Sequence, residues 1–158
     1  MPARQCVRSC AAALLVLVFL VHVPARAAES RAAEYRAGNL VVTGPWSRPT
    51  PPVATVGAVY FSMANVGRTA DRLIAISTPI ARKVEIHEDH NVQGTVQMRA
   101  VESVECPPGA TVKAEPGGLH VMLLDLVRPL VAGMEFPLSL RFRDAGVLTV
   151  QVAVGARE

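Results

Sequence analysis

The chain is poor in cysteine, in charge of one sign and in long apolar runs, and each shortage excludes something. Cysteine stands only at Cys6, Cys10 and Cys106. The first two fall in a stretch that reads as a leader, which leaves Cys106 with no partner for an intramolecular disulfide. A lone thiol of this kind is expected to be buried and inert. The whole chain has 16 Lys+Arg against 13 Asp+Glu. Arg4, Arg8 and Arg26 belong to the leader, which holds no acid, so the remainder balances at 13 of each. Nucleic-acid binding by a basic surface therefore has no warrant. The apolar run at residues 11–23 is broken by His22 and is too short for a membrane span, which needs about 20 apolar residues.

Enzyme signatures are missing as well. There is no Gly-rich phosphate loop, no zincin motif and no arguable Ser-His-Asp arrangement. No stretch keeps a helical period.

What is present divides the chain in three. Arg4 and Arg8, the apolar run and Ala25-Arg26-Ala27 together make a secretory signal peptide, residues 1–27, with cleavage expected after Ala27. Cys10 follows Val7-Arg8-Ser9 and precedes the apolar run, the wrong order for a lipid anchor. No stable membrane anchor is expected after cleavage. Residues 28–38 are polar and Ala-rich and read as a flexible lead-in. Residues 39–156 are the domain.

Within that domain, alternating short segments predict strands at 39–43, 58–65, 71–77, 83–88, 95–101, 111–115, 119–126, 136–143 and 147–154. Gly and Pro clusters separate them. Pro49, Pro51 and Pro52 make the segment before the second strand an extended loop. Trp46, the sole tryptophan, is expected to pack a corner of the core. Many short strands with turn signals between them argue for an all-β sandwich.

Four residues carry the chemistry: His87, Met98, His120 and Met122. His120 and Met122 lie two apart in a strand, so imidazole and thioether project from the same face. By the alternation of Val84 and Ile86, His87 points away from the apolar side of its own strand. Met98 lies on the return strand of the same hairpin. Neutral imidazole with soft thioether selects Cu(I). Zinc does not favour thioether. A blue-copper centre needs a thiolate near the His and Met, and Cys106, beside two prolines, is badly placed for that. Two imidazoles and two thioethers add no charge to the bound ion. Glu85, Glu88 and Asp89 lie close enough in sequence to orient a ring nitrogen, but a solvated strand edge explains them better. His90 reads as a solvated turn residue, Met63 as core and Met134 as a turn residue.

The spacing H-x10-M-x21-H-x-M resembles that of the PCuAC (DUF461) family of periplasmic copper chaperones. Gly44-Pro45-Trp46-Ser47-Arg48, Gly57-Ala58-Val59-Tyr60, Ala70-Asp71-Arg72-Leu73 and Gly117-Gly118-Leu119-His120-Val121-Met122-Leu123 carry the likeness further. The resemblance implies a cupredoxin-like Greek-key β-sandwich and one Cu(I) per chain on His87, Met98, His120 and Met122. It implies a periplasmic carrier with no catalytic role. Delivery would be toward the copper centre of cytochrome c oxidase, with an oxidase subunit or a Sco-type thioredoxin-fold protein as partner. The same ligands would also serve copper buffering or resistance.

Overall fold

The computed structural model describes residues 33–92 and 94–156. The signal peptide and the first part of the lead-in lie outside the described residues. Among the described residues every regular element is a strand, so the chain is all-β as its alternation predicts. The elements are β1 (Glu34–Ala37), β2 (Leu40–Ser47), β3 (Val56–Asn65), β4 (Asp71–Ser77), β5 (Ala81–Val92), β6 (Thr95–Val101), β7 (Val104–Cys106), β8 (Thr111–Ala114), β9 (Leu119–Leu126), β10 (Glu135–Phe142) and β11 (Val147–Val154).

They form one continuous sheet in the order β6-β5-β9-β8-β3-β2-β11-β10-β4-β7, with β1 added on β2 and β9 also paired to β3. The pairings are antiparallel except β2 with β11 and β8 with β9. The sheet folds back on itself, giving the two packed faces of a cupredoxin-like sandwich. One face supplies Val59, Phe61, Met63, Ile86, Val121 and Leu123 to the core. The other supplies Leu73, Phe136, Leu138, Leu140, Phe142, Val150 and Val152. In β10 the sequence alternates Phe136, Leu138, Leu140, Phe142, and all four are buried. Burying side chains of this size stabilises by roughly 1.5–3 kcal/mol each.

Three local readings are corrected. The lead-in does not extend to residue 38, because Glu34–Ala37 pair with β2 as β1. Tyr35 packs against the core, and Arg36 pairs with Glu34, which gives a polar segment reason to be ordered. Val104–Cys106 form the short edge strand β7 against β4, where the sequence pattern shows only a turn at Cys106-Pro107-Pro108-Gly109. Finally, Trp46 does not enter the core. β2 runs on through Gly44 and Pro45 to Ser47, and its pairing with β3 shifts register between Thr43 and Trp46. One extra residue reverses which face the following side chains take. Gly44, at φ 57°, supplies the left-handed conformation the bulge uses. Trp46 therefore stacks on Tyr60 on the outer face, with ring centroids 4.9 Å apart.

Cys106 is fully buried and its thiol contacts the carbonyl of Met63. Burial, and then the charge of Asp71, push its pKa above the ordinary thiol value. The thiolate is the reactive species, so Cys106 should be inert in the folded protein. After treatment with iodoacetamide at pH 8, peptide mass spectrometry should find Cys106 unmodified in native protein and modified after denaturation. Rapid native labelling would contradict its placement.

Candidate metal centre

The site lies on the outer face of the sheet across β6, β5 and β9. β5 and β9 run antiparallel with His87 directly opposite His120. Directly paired residues share a face. The two imidazole rings are 6.0 Å apart between centroids and inclined by 44°. Two residues along β9, Met122 stands opposite Glu85, so it is the diagonal neighbour of His87 on one side. On the other side β6 pairs Ala100 with His87 and Met98 with Asp89. Met98 is thus the second diagonal neighbour. Diagonal neighbours lie about 7–8 Å apart, within reach of long side chains. His87 is the hub: one imidazole directly across and one thioether diagonally on each flanking strand.

The core face explains why these side chains point outward. On β9, Leu119, Val121 and Leu123 turn inward, with Val121 and Leu123 fully buried. Their alternation sends His120 and Met122 to the opposite face. On β5, Ile86 is buried and Val84 packs against the core, which sends Glu85, His87 and Asp89 outward. Exposure rises across the site. His120 is 5% exposed and Met98 53% exposed.

Each ring has one nitrogen occupied. His120 Nδ1 lies 2.9 Å from the carbonyl oxygen of Gly118, an acceptor only, so Nδ1 carries the hydrogen and Nε2 keeps the lone pair. This is the kind of contact that fixes a ligating histidine's tautomer. His87 Nε2 lies 2.9 Å from Glu85 Oε2. His87 Nδ1 is buried with no hydrogen-bond partner, as is one oxygen of Asp89. The other oxygen of Glu85 meets the Lys83 ammonium. Hydrogen bonds from Lys83 and then His87 hold the Glu85 carboxyl below the usual glutamate range, and Glu85 raises Lys83 in turn. Glu85 therefore remains a carboxylate facing His87. The sequence offered Glu85 only as one of three acids near His87; its position two residues away on the same face of a strand was the signal that distinguishes it from Glu88.

The remaining candidates are elsewhere. His90 is in β5 rather than a turn. It takes the face opposite His87 and pairs with Glu88. Met63 is buried in the core as expected. Met134 accepts a hydrogen bond from the Val131 amide through its sulfur. Among the described residues no three His, Cys, Asp or Glu side chains gather into a hard-metal site. Beyond His120 on the same face, the pairing of β3 with β9 carried one residue further sets Tyr60 level with His120, with Trp46 beside it.

The family described as "Putative lipoprotein LpqE-like" matches residues 40–154. The chain belongs to the LpqE-like family. This is the PCuAC (DUF461) group whose spacing the sequence resembles. Among curated relatives, "Putative lipoprotein Lxx21020" of Leifsonia xyli subsp. xyli is 30% identical over 135 residues, 85% of this chain and 78% of that protein. Among solved structures, the copper-bound PCuAC domain from PmoF2 is 28% identical, with a TM-score of 0.68, covering 79% of this chain and 99% of that domain. The Cu(I) form of DR1885 from Deinococcus radiodurans is 25% identical, with a TM-score of 0.58, covering 82% of this chain and 84% of that one.

Proposed function

We propose that this LpqE-like protein is an exported Cu(I) carrier that holds one ion on His87, Met98, His120 and Met122 and passes it to a copper-accepting protein. The observation that carries the reading is the register around His87, with a facing imidazole and two diagonal thioethers on three adjacent strands. Two imidazoles sharing one ion, at metal–nitrogen distances of roughly 2.0–2.1 Å, have ring centres roughly 5–6 Å apart. The 6.0 Å separation of His87 and His120 fits that range. The donor set is uncharged and soft, which favours monovalent copper over zinc, calcium or magnesium. The copper-bound PmoF2 domain and Cu(I)-DR1885 share the fold and lend further support.

A carrier has to release what it binds. The exposed thioether of Met98 is the donor an incoming acceptor ligand can displace first, while His120 stays anchored by Gly118. Handover would then proceed by stepwise ligand exchange, with no general base and no turnover chemistry. The leader read at residues 1–27 supports work in the periplasm, with the cytochrome c oxidase copper centre, or a Sco-type protein serving it, as the recipient.

The test is transfer. Protein loaded with one equivalent of Cu(I) is mixed with the apo form of an oxidase copper-centre domain or a Sco-type protein, and the metal is followed after separation. Most of the copper should move to the acceptor. Retention by the donor against every such acceptor would reject delivery and leave buffering as its role. Failure of the chain to take up Cu(I) at all would reject both.

A further inference from the structure

We propose that Glu85 is a positioning residue that keeps the hydrogen of His87 on Nε2, so that His87 offers copper its Nδ1 while His120 offers Nε2. The inference rests on the carrier reading of the same four donors and adds a residue to it.

Three observations meet at His87. Its Nε2 is within hydrogen-bond distance, 2.9 Å, of Glu85 Oε2. A carboxylate only accepts, so this nitrogen donates. Its Nδ1 is buried and has no hydrogen-bond partner. A buried nitrogen carrying a hydrogen there would be an unsatisfied donor, which native structures avoid. Left as a lone pair, it is the one unused donor atom of the ring. Third, Glu85 is itself held: its second oxygen pairs with Lys83, two residues earlier on the same face of β5. Lys83, Glu85 and His87 form a line along one strand, each fixing the next.

His120 is built the opposite way. The Gly118 carbonyl occupies its Nδ1, which leaves Nε2. The two rings face one another across paired strands with opposite nitrogens committed to the protein. Each therefore turns its remaining lone pair outward from its own anchor. A ligating histidine whose other nitrogen is bonded to a carboxylate is also a stronger donor, and loss of such a partner typically lowers metal affinity about 10- to 100-fold.

The decisive measurement is long-range proton–nitrogen NMR on the protein labelled with nitrogen-15 histidine, apo and loaded with Cu(I), and repeated with Ag(I), a soft closed-shell ion whose nuclear spin couples to the bound nitrogen. In the apo protein His87 should show hydrogen on Nε2. On loading, His87 should respond at Nδ1 and His120 at Nε2. Glu85→Leu should mix the His87 tautomers and weaken Cu(I) about 10- to 100-fold. Glu85→Gln, whose carbonyl accepts the same hydrogen, should restore a single tautomer and most of the affinity. Coordination of His87 through Nε2, or a Glu85→Leu protein with unchanged tautomer and affinity, overturns the role of Glu85 while leaving the carrier reading intact. A wild-type protein in which neither histidine responds to metal overturns both.

Discussion

Replacing His120 with Ala should cost the protein its hold on Cu(I), with an affinity loss exceeding the roughly 100-fold that marks removal of an outer partner. The expectation follows from where His120 sits. It is the most buried of the four donors at 5% exposure, and its orientation is fixed by the Gly118 carbonyl. It also faces His87 directly, so no other described donor can take its place opposite that ring. Competition against a chromogenic Cu(I) chelator measures the loss. Met98→Ala sets the scale, because Met98 is 53% exposed on the outermost of the three strands. That variant should bind about 10-fold more weakly and release faster, since a soft donor has gone from a set chosen for Cu(I). Folding should survive His120→Ala. The substitution removes one hydrogen bond, worth about 1 kcal/mol, and leaves the core residues Val121 and Leu123 untouched. A His120→Ala protein that is folded and still takes one equivalent at near wild-type affinity would refute the centre.

The shared face of the candidate donors His120 and Met122 was legible in the sequence because strand parity is strict. Once residues 119–126 read as a strand with Val121 and Leu123 inward, His120 and Met122 had to share the outer face, and the structure places them there. The meeting of three strands was not legible from alternation. It depends on register, and register is set by turns and bulges at a distance from the residues they align. Trp46 shows the same limit. Alternation from Leu40 and Val42 counts it as inward, and the single extra residue at Gly44-Pro45 turns it outward onto Tyr60. β1 is not legible from composition, because Glu34 and Arg36 are polar and its order comes from pairing with β2. Glu85 was visible as an acid near His87. Strand parity sets Glu88 on the opposite face, but selection over Asp89 needed the side-chain contact itself, since Asp89 shares the face of His87 without bonding the ring.

Asp71→Ala should produce the largest stability loss, about 3–5 kcal/mol at pH 7. Asp71 is 7% exposed and accepts three backbone N–H groups, from Arg72 at 2.6 Å, Asp144 at 3.0 Å and Ala145 at 2.9 Å. It clasps the start of β4 to the turn joining β10 and β11. Each part-buried donor left without an acceptor costs about 1–3 kcal/mol, against a total stability of about 5–15 kcal/mol for a domain. The melting temperature should fall by roughly 10–20 °C. None of the four donors lies on β4, β10 or β11, so copper stoichiometry should persist below the melt. The acid dependence has a defined sign. Burial alone would raise the Asp71 carboxyl, but the backbone N–H groups of Arg72, Asp144 and Ala145, with the charge of Arg143, outweigh it and bring the value below the ordinary one. A group depressed in the folded state contributes fully above its unfolded pKa, about 3.9, and loses that contribution as pH falls through the folded value. The gap between wild type and Asp71→Ala should therefore hold constant from pH 7 to about pH 5 and narrow, by the part the pKa difference carries, as the medium is acidified below the unfolded value. Thermal melts of both proteins across that series decide it. A gap that stays constant into strong acid would mean that the aspartate acts through its shape alone, and a gap under about 1 kcal/mol at pH 7 would mean that those three amides find other acceptors.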